Sequence, residues 1–189
     1  SLALAANTTA GGSTALGTCA LLSNTTGTGN TALGYRSLVC NTTGAQNVAI
    51  AFRALKCNTT GANNIAISYE SLCANTTGDN NTAVGFRSLY ANTTANDNTA
   101  IGYTALTANR SALVLNTTGI ENIAVGRNTL DANTEGSNNT AIGNSSLTTN
   151  TTGANNTAVG KDALSRNTTG SSNTAIGLNA LYENTTADN

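Results

Sequence analysis

Three residue types in this chain sit at spacings that could do chemistry. Asn-Thr-Thr recurs at Asn7, Asn24, Asn41, Asn58, Asn75, Asn92, Asn116, Asn150, Asn167 and Asn184. Each is a formal acceptor for an N-linked glycan, as are Asn80, Asn109, Asn138, Asn144 and Asn155. One reading is a glycan-coated fibre. The other is an asparagine ladder, each amide bonded to the equivalent amide above and below. Rungs about 4.8 Å apart would crowd sugars severely, so glycans would have to fan out, skip rungs or sit on more widely spaced coils.

The cysteines are Cys19, Cys40, Cys57 and Cys73. Cys40 and Cys57 hold equivalent places in successive repeats. Directly stacked strands would bring their Cα atoms into the disulfide range of about 4.4–6.8 Å. Cys73 lies one position earlier in the next repeat, which makes Cys57–Cys73 a rival pairing, and free buried thiols are the third reading. An even cysteine count fits an oxidising, extracellular setting. Without His and without a C-x-x-C spacing, a zinc site is not expected. Aromatic residues form the third set: Tyr35, Phe52, Tyr69, Phe86 and Tyr103 recur at one position of five successive repeats. Such a column suits a subunit interface or a sugar-binding stripe, or a self-stacked ladder that stabilises the chain. Later repeats put Arg127, Asn144, Lys161 and Leu178 there. The few charged residues form no paired-carboxylate or serine–base constellation, so an enzyme is not expected, and no cofactor is implied.

The elements that position these residues follow from a repeat, sought before any other pattern. A 17-residue unit, seen clearly as NTTGDNNTAVGFRSLYA over 75–91, occurs ten times. Copies fill 7–108 and 116–183, separated by an insertion at 109–115, with partial copies at both ends. This predicts a single elongated array over residues 1–189. The chain opens and closes within repeats, as a mature piece or a fragment of a longer repeat protein would. Charged residues make up 9% and net charge is −1, so no basic surface is offered to nucleic acid. No stretch reads as a signal peptide or membrane span.

Within the unit, the ninth position is Ala in all ten copies and the tenth is Leu, Ile or Val. The eleventh is Gly except at Ala51 and Ser68, the fourteenth is small, and the fifteenth is always Leu. In an extended segment, positions eight and ten share one face and nine and eleven the other. One face is branched and the other tiny, which predicts a short strand packed on both sides, one of them very closely. No unit buries its apolar residues alone, so neighbours must, which defines a solenoid. The Thr-Thr-Gly stretch and the Asn at position seven read as a turn. The second half, Gly-x-x-small-Leu-x-x, fits either a second strand or one helical turn. Seven inserted residues would flip the faces of a strand but nearly preserve the phase of a helix. The fold expected is mainly β: a parallel β-solenoid (β-roll or β-helix) of ten 17-residue coils, with a short helical turn in each coil as an option.

The segments NTAVG, NTAIG, NVAIA and NIAIS resemble the S-V-A-I-G repeats in the head domains of trimeric autotransporter adhesins. The pattern N-T-A-[VI]-G-x-x-[AS]-L is similar to repeats of tail-fibre-like and large surface proteins. The resemblance spans nearly the whole chain and implies a left-handed parallel β-roll, assembled as a trimer, that binds host surfaces or matrix. The longer unit, the inserted NTTG and the invariant Leu depart from that pattern, which bears on the trimer more than on the coil.

The function expected is that of a structural or adhesive extracellular repeat protein, a rigid rod or fibre segment at the cell surface. Its expected partners are further copies of itself, end to end or as a trimer, and host surfaces or glycans. The rival is carbohydrate or receptor recognition through the aromatic column. A lesser rival is ice binding through threonine columns, weakened because the turn threonines are adjacent rather than in T-x-T spacing.

Overall fold

The computed structural model describes residues 2–106 and 118–188. Each repeat contributes one strand of three residues: β1 (Thr14–Leu16), β2 (Thr31–Leu33), β3 (Val48–Ile50), β4 (Ile65–Ile67), β5 (Thr82–Val84), β6 (Thr99–Ile101), β7 (Ile123–Val125), β8 (Thr140–Ile142), β9 (Thr157–Val159) and β10 (Thr174–Ile176). They form one parallel ten-stranded sheet in sequence order. Equivalent positions pair throughout: Ala83 lies opposite Ala100, and Thr82 opposite Thr99. The protein is a parallel β-solenoid. The inserted residues 109–115 lie outside the described residues, but the sheet runs on across them, with Ala100 paired to Ala124.

The two faces of each strand have different fates. Ala32, Ala49, Ala66, Ala83, Ala100, Ala124, Ala141 and Ala158 are completely buried. The branched residues beside them point outward: Ile65, Ile101, Ile123 and Ile142 are about two-fifths exposed. The strand is therefore packed on its alanine side only, a correction to the expectation of burial on both. A row of methyl groups lets the facing wall come close. That wall is the leucine column, Leu21 through Leu164, with the small residues of position fourteen beside it. The apolar core is one continuous stripe along the array.

The second half of the unit is neither strand nor helix among the described residues. It is a tight curl with left-handed backbone at alternate residues. Position thirteen has φ of 50–59°, as at Arg36, Arg87 and Asp162, and the invariant Leu has φ of 48–53°, as at Leu38, Leu89 and Leu181. Left-handed backbone costs an L-residue roughly 1–2 kcal/mol. The geometry persists because it aims successive N–H groups at both neighbours. Arg36 N–H donates back to Thr18 O at 3.0 Å, and Leu38 N–H donates forward to Ala54 O at 3.1 Å. A helix would have spent these donors within its own rung.

The glycines at position eleven are held by contact with the next rung. Their φ values run from 124° to 140°, and a Cβ on Gly102 would lie 2.4 Å from Gly126 O. Where the unit carries Ala51 or Ser68 instead, φ falls to 100° and 113°.

Leu89→Ala removes a fully buried side chain from the stripe and is expected to cost about 2–5 kcal/mol. Ile101→Ala, on the outward face, should cost less than about 1.5 kcal/mol. Chemical denaturation followed by circular dichroism measures both, and equal losses would contradict this placement of the core.

Candidate functional site

The repeated asparagines occupy the interior. Asn24, Asn41, Asn58, Asn75, Asn92, Asn150 and Asn167 have no solvent-accessible surface. Each amide nitrogen is engaged twice where the ladder is continuous. Asn41 Nδ2 donates to Asn24 Oδ1 at 2.8 Å and to Gly44 O at 2.9 Å. Asn58 repeats the pattern with Asn41 Oδ1 and Gly61 O, both at 2.8 Å. Asn75, Asn150 and Asn167 follow suit. An N-linked sugar is attached through this same nitrogen, so the folded array leaves no room for one at these seven positions. Asn7, in the first rung, is exposed and Asn184, in the last, half-buried; Asn116 lies outside the described residues. Besides Asn7, the acceptor motifs among the described residues whose side chains stand in solvent are Asn80, Asn138, Asn144 and Asn155, and Asn109 lies outside the described residues.

A second ladder replaces the expected turn at position seven. Asn30, Asn47, Asn64, Asn81, Asn98, Asn122, Asn139 and Asn156 are also completely buried. Asn30 Oδ1 accepts from the backbone N–H of Asn47 at 2.9 Å and from its Nδ2 at 3.2 Å. Asn30 Nδ2 reaches Gly44 O at 2.8 Å. That carbonyl also accepts from Asn41, so both of its lone pairs are used by asparagines from two ladders. The left-handed turn residue is instead position six, with φ of 57–61° at Gln46, Asn63, Asn80 and Ser172. This ladder was missed because Asn beside a Thr-Thr-Gly stretch is the usual composition of a turn. The available signal was its near-invariance beside a variable position six, since a turn needs its left-handed residue and tolerates change around it.

The glycine at position four keeps this junction open. A Cβ on Gly61 would lie 2.5 Å from both Asn58 Oδ1 and Gly78 O. Threonine at position two adds a third set of contacts between rungs: the hydroxyls of Thr25, Thr42, Thr59 and Thr76 each donate to the carbonyl of the next copy at 2.9–3.0 Å. These hydroxyls are committed within the array, while the threonines of the strands stand outside it.

The five aromatic rings form one stack. Centroid separations are 5.5, 5.0, 5.3 and 5.1 Å from Tyr35 through Phe52, Tyr69 and Phe86 to Tyr103, with planes within 16° of parallel. Spacings of this order are favourable for aromatic pairs. The faces of the three inner rings are covered by their neighbours, so solvent meets edges and the tyrosine hydroxyls. A sugar needs an open ring face, and this arrangement spends those faces on self-stacking. Position thirteen supplies charge alongside. Glu70 is 5% exposed and its carboxylate is held between two rungs: Oε2 accepts from Arg87 Nε and Nη2 at 2.9 and 2.7 Å, and Oε1 from Arg53 Nη1 at 3.4 Å. Arg53 and Arg87 also lie over the rings of Phe52 and Phe86. The carboxylate holds the Arg87 guanidinium above its ordinary range, chiefly through the hydrogen bonds between them.

All four cysteines are free thiols, so neither expected disulfide is formed. The sulfur contact that does exist joins Cys57 and Cys73, the rival pair, rather than Cys40 and Cys57. Among the described residues no group of three or more metal-ligating side chains converges, and no helix is long and apolar enough to cross a membrane.

Comparison with protein-family models, with curated proteins and with solved structures gives no match to this chain.

Asn58→Ala would leave Asn41 Oδ1 and Gly61 O each short of a donor in a dry interior. The expected cost is about 1–3 kcal/mol for each unsatisfied group. Thr60→Ala, on the exposed position three, should stay within roughly 0.5 kcal/mol of the parent. Thermal and denaturant unfolding compare the two directly; a silent Asn58→Ala would show that the ladder contributes nothing.

Proposed function

We propose that this chain is a structural rod, a segment of an extended extracellular surface fibre in which each repeat is one rung. One observation carries the reading: the described rungs keep one register along the whole ten-stranded sheet, and away from the first rung and the insertion neighbouring rungs are joined by the same asparagine, threonine and backbone bonds. Such an array gains axial length at a fixed increment and buries its polar groups only by stacking. The self-stacked aromatic column fits this role, because it adds one more contact between rungs and uses up the ring faces that a sugar platform would need.

Self-association belongs to the same proposal. In a parallel ladder of this kind each rung offers one set of donors and acceptors to its predecessor and the matching set to its successor. A second copy can therefore continue the ladder end to end, a heterologous contact that extends into a filament. The resemblance of NTAVG and its relatives to adhesin heads and tail-fibre-like repeats supports the surface location and the adhesive role, and it is also the sole support for a trimer. If the chain carries glycans, Asn7, Asn80, Asn138, Asn144 and Asn155 are the positions among the described residues that can take them while the ladders stay closed.

The test is a chain lengthened by four consensus units placed between two existing rungs. The maximum dimension from small-angle scattering should grow by roughly 19 Å, four steps of about 4.8 Å, at constant cross-section. Growth in width instead would overturn the rod. For self-association, electron microscopy of concentrated protein should show thin filaments of uniform width, and isolated particles at every concentration would remove that part of the proposal.

A further inference from the structure

Cys57 and Cys73 face each other across neighbouring rungs. The Cys57 backbone N–H donates to Cys73 O at 3.0 Å, and the two thiols lie close enough to influence each other's protonation directly. Cys57 is partly exposed, whereas Cys73 is 7% exposed and lies against the core stripe. One sulfur of the pair can thus be approached from solvent, and the other sits directly behind it. Both lie in the curl and are offset by one position, and residues of neighbouring rungs joined by such a backbone bond are close enough at their Cα atoms for a disulfide, which spans about 4.4–6.8 Å.

The charges around the pair favour an anion on the outer sulfur. Interaction with the Cys73 thiol, opposed by partial burial and helped by the neighbouring Lys56 ammonium, draws Cys57 down to about 6. Cys73 is driven up chiefly by the same interaction with Cys57, and burial and the Glu70 carboxylate add to the effect. Cys40, one rung before Cys57 and exposed, is also raised, by burial and by the charge at Cys57, with Lys56 and Arg36 opposing. Tyr90 nearby is raised chiefly by burial and so keeps its proton. Of the three clustered thiols, Cys57 is the one poised as a thiolate.

We propose that Cys57 and Cys73 form a two-thiol modification site for low-molecular-weight disulfides, with Cys57 as the attacking sulfur and Cys73 as the resolving one. The Cys57 thiolate attacks one sulfur of the small disulfide. The S–S bond of that molecule breaks, one thiolate leaves and takes a proton from solvent, and a mixed disulfide remains on Cys57. Discharging Cys57 removes the anion that held the Cys73 proton, which passes to water. The Cys73 thiolate then attacks Cys57 Sγ, the mixed disulfide breaks, and the second small thiol departs and is protonated. Two protein thiols are oxidised to one disulfide, and the small disulfide is reduced to two thiols. The product is a covalent clamp between adjacent rungs. This inference does not depend on the fibre reading.

The experiment uses the whole chain and glutathione disulfide at pH 7, followed by peptide mapping without reduction. The expected product is a Cys57–Cys73 cross-link. A Cys40–Cys57 bridge, or glutathione retained on Cys40 alone, would overturn the assignment. Iodoacetamide rates measured against pH give a second readout. Cys57 in the parent chain should show an inflection near 6. In Cys73→Ala the inflection should move toward an ordinary thiol value of about 8.5, slowing alkylation at pH 6.5 by on the order of tenfold or more. An unchanged profile would refute the pairing. Cys73→Ser keeps a hydrogen-bond donor and guards against misfolding of the alanine variant: it should retain the low inflection yet stop at glutathione on Cys57, and a normal inflection there would equally refute the proposal.

Discussion

The structure depends on a carbonyl group that is asked to accept twice. In most inner rungs the carbonyl of position four receives one asparagine amide from its own unit and a second from the unit before it, as Gly44 does from Asn41 and Asn30 and Ala95 from Asn92 and Asn81. All three partners are out of reach of water, so each bond omitted would leave a buried polar group costing roughly 1–3 kcal/mol. That penalty repeats from rung to rung and is blind to sequence elsewhere in the unit. It therefore fixes register more strictly than the apolar contacts do. An alanine methyl tolerates a small displacement, whereas a bidentate amide does not.

From this constraint the rest of the rung becomes intelligible. Strands of three residues are too short to hold a sheet alone, yet here each is flanked by ladders that have already set the spacing. The alanine column brings the opposite wall close enough for a single leucine to fill the gap. The left-handed curl around that leucine returns the chain to its start while sending backbone donors to both neighbours. Outside, the aromatic stack and the Arg53–Glu70–Arg87 group repeat the same logic in other chemistry, joining rung to rung rather than reaching away from the array.

Much of this was legible in the residues themselves. The invariant Ala and Leu, the alternation around them and the equal unit length point to stacked parallel strands, and the pairing of Ala83 with Ala100 is what equal-length rungs require. The aromatic column followed from period alone. Two features were harder to read. Asparagine at position seven has the same local composition whether it makes a turn or a buried ladder, and only its glycine partner fourteen residues on, as for Asn30 and Gly44, separates the two. The curl at Arg87 to Leu89 was ambiguous because left-handed leucine is disfavoured locally; the compensation lies in neighbouring rungs, which no window of sequence along one unit contains. Cysteine pairing was ambiguous for the same reason, since a one-position offset between Cys57 and Cys73 is invisible without the direction in which each side chain leaves the backbone.

The sameness of the junctions reaches beyond the folded molecule to the gene that encodes it. Where any rung fits on any other, unequal recombination between misaligned copies can delete or duplicate whole units without creating a surface that selection has not already accepted. Length then becomes a quantity that a lineage can vary in small, almost neutral steps. Features confined to part of the array, such as the aromatic stack and the cysteines, would record where such exchanges have not yet spread.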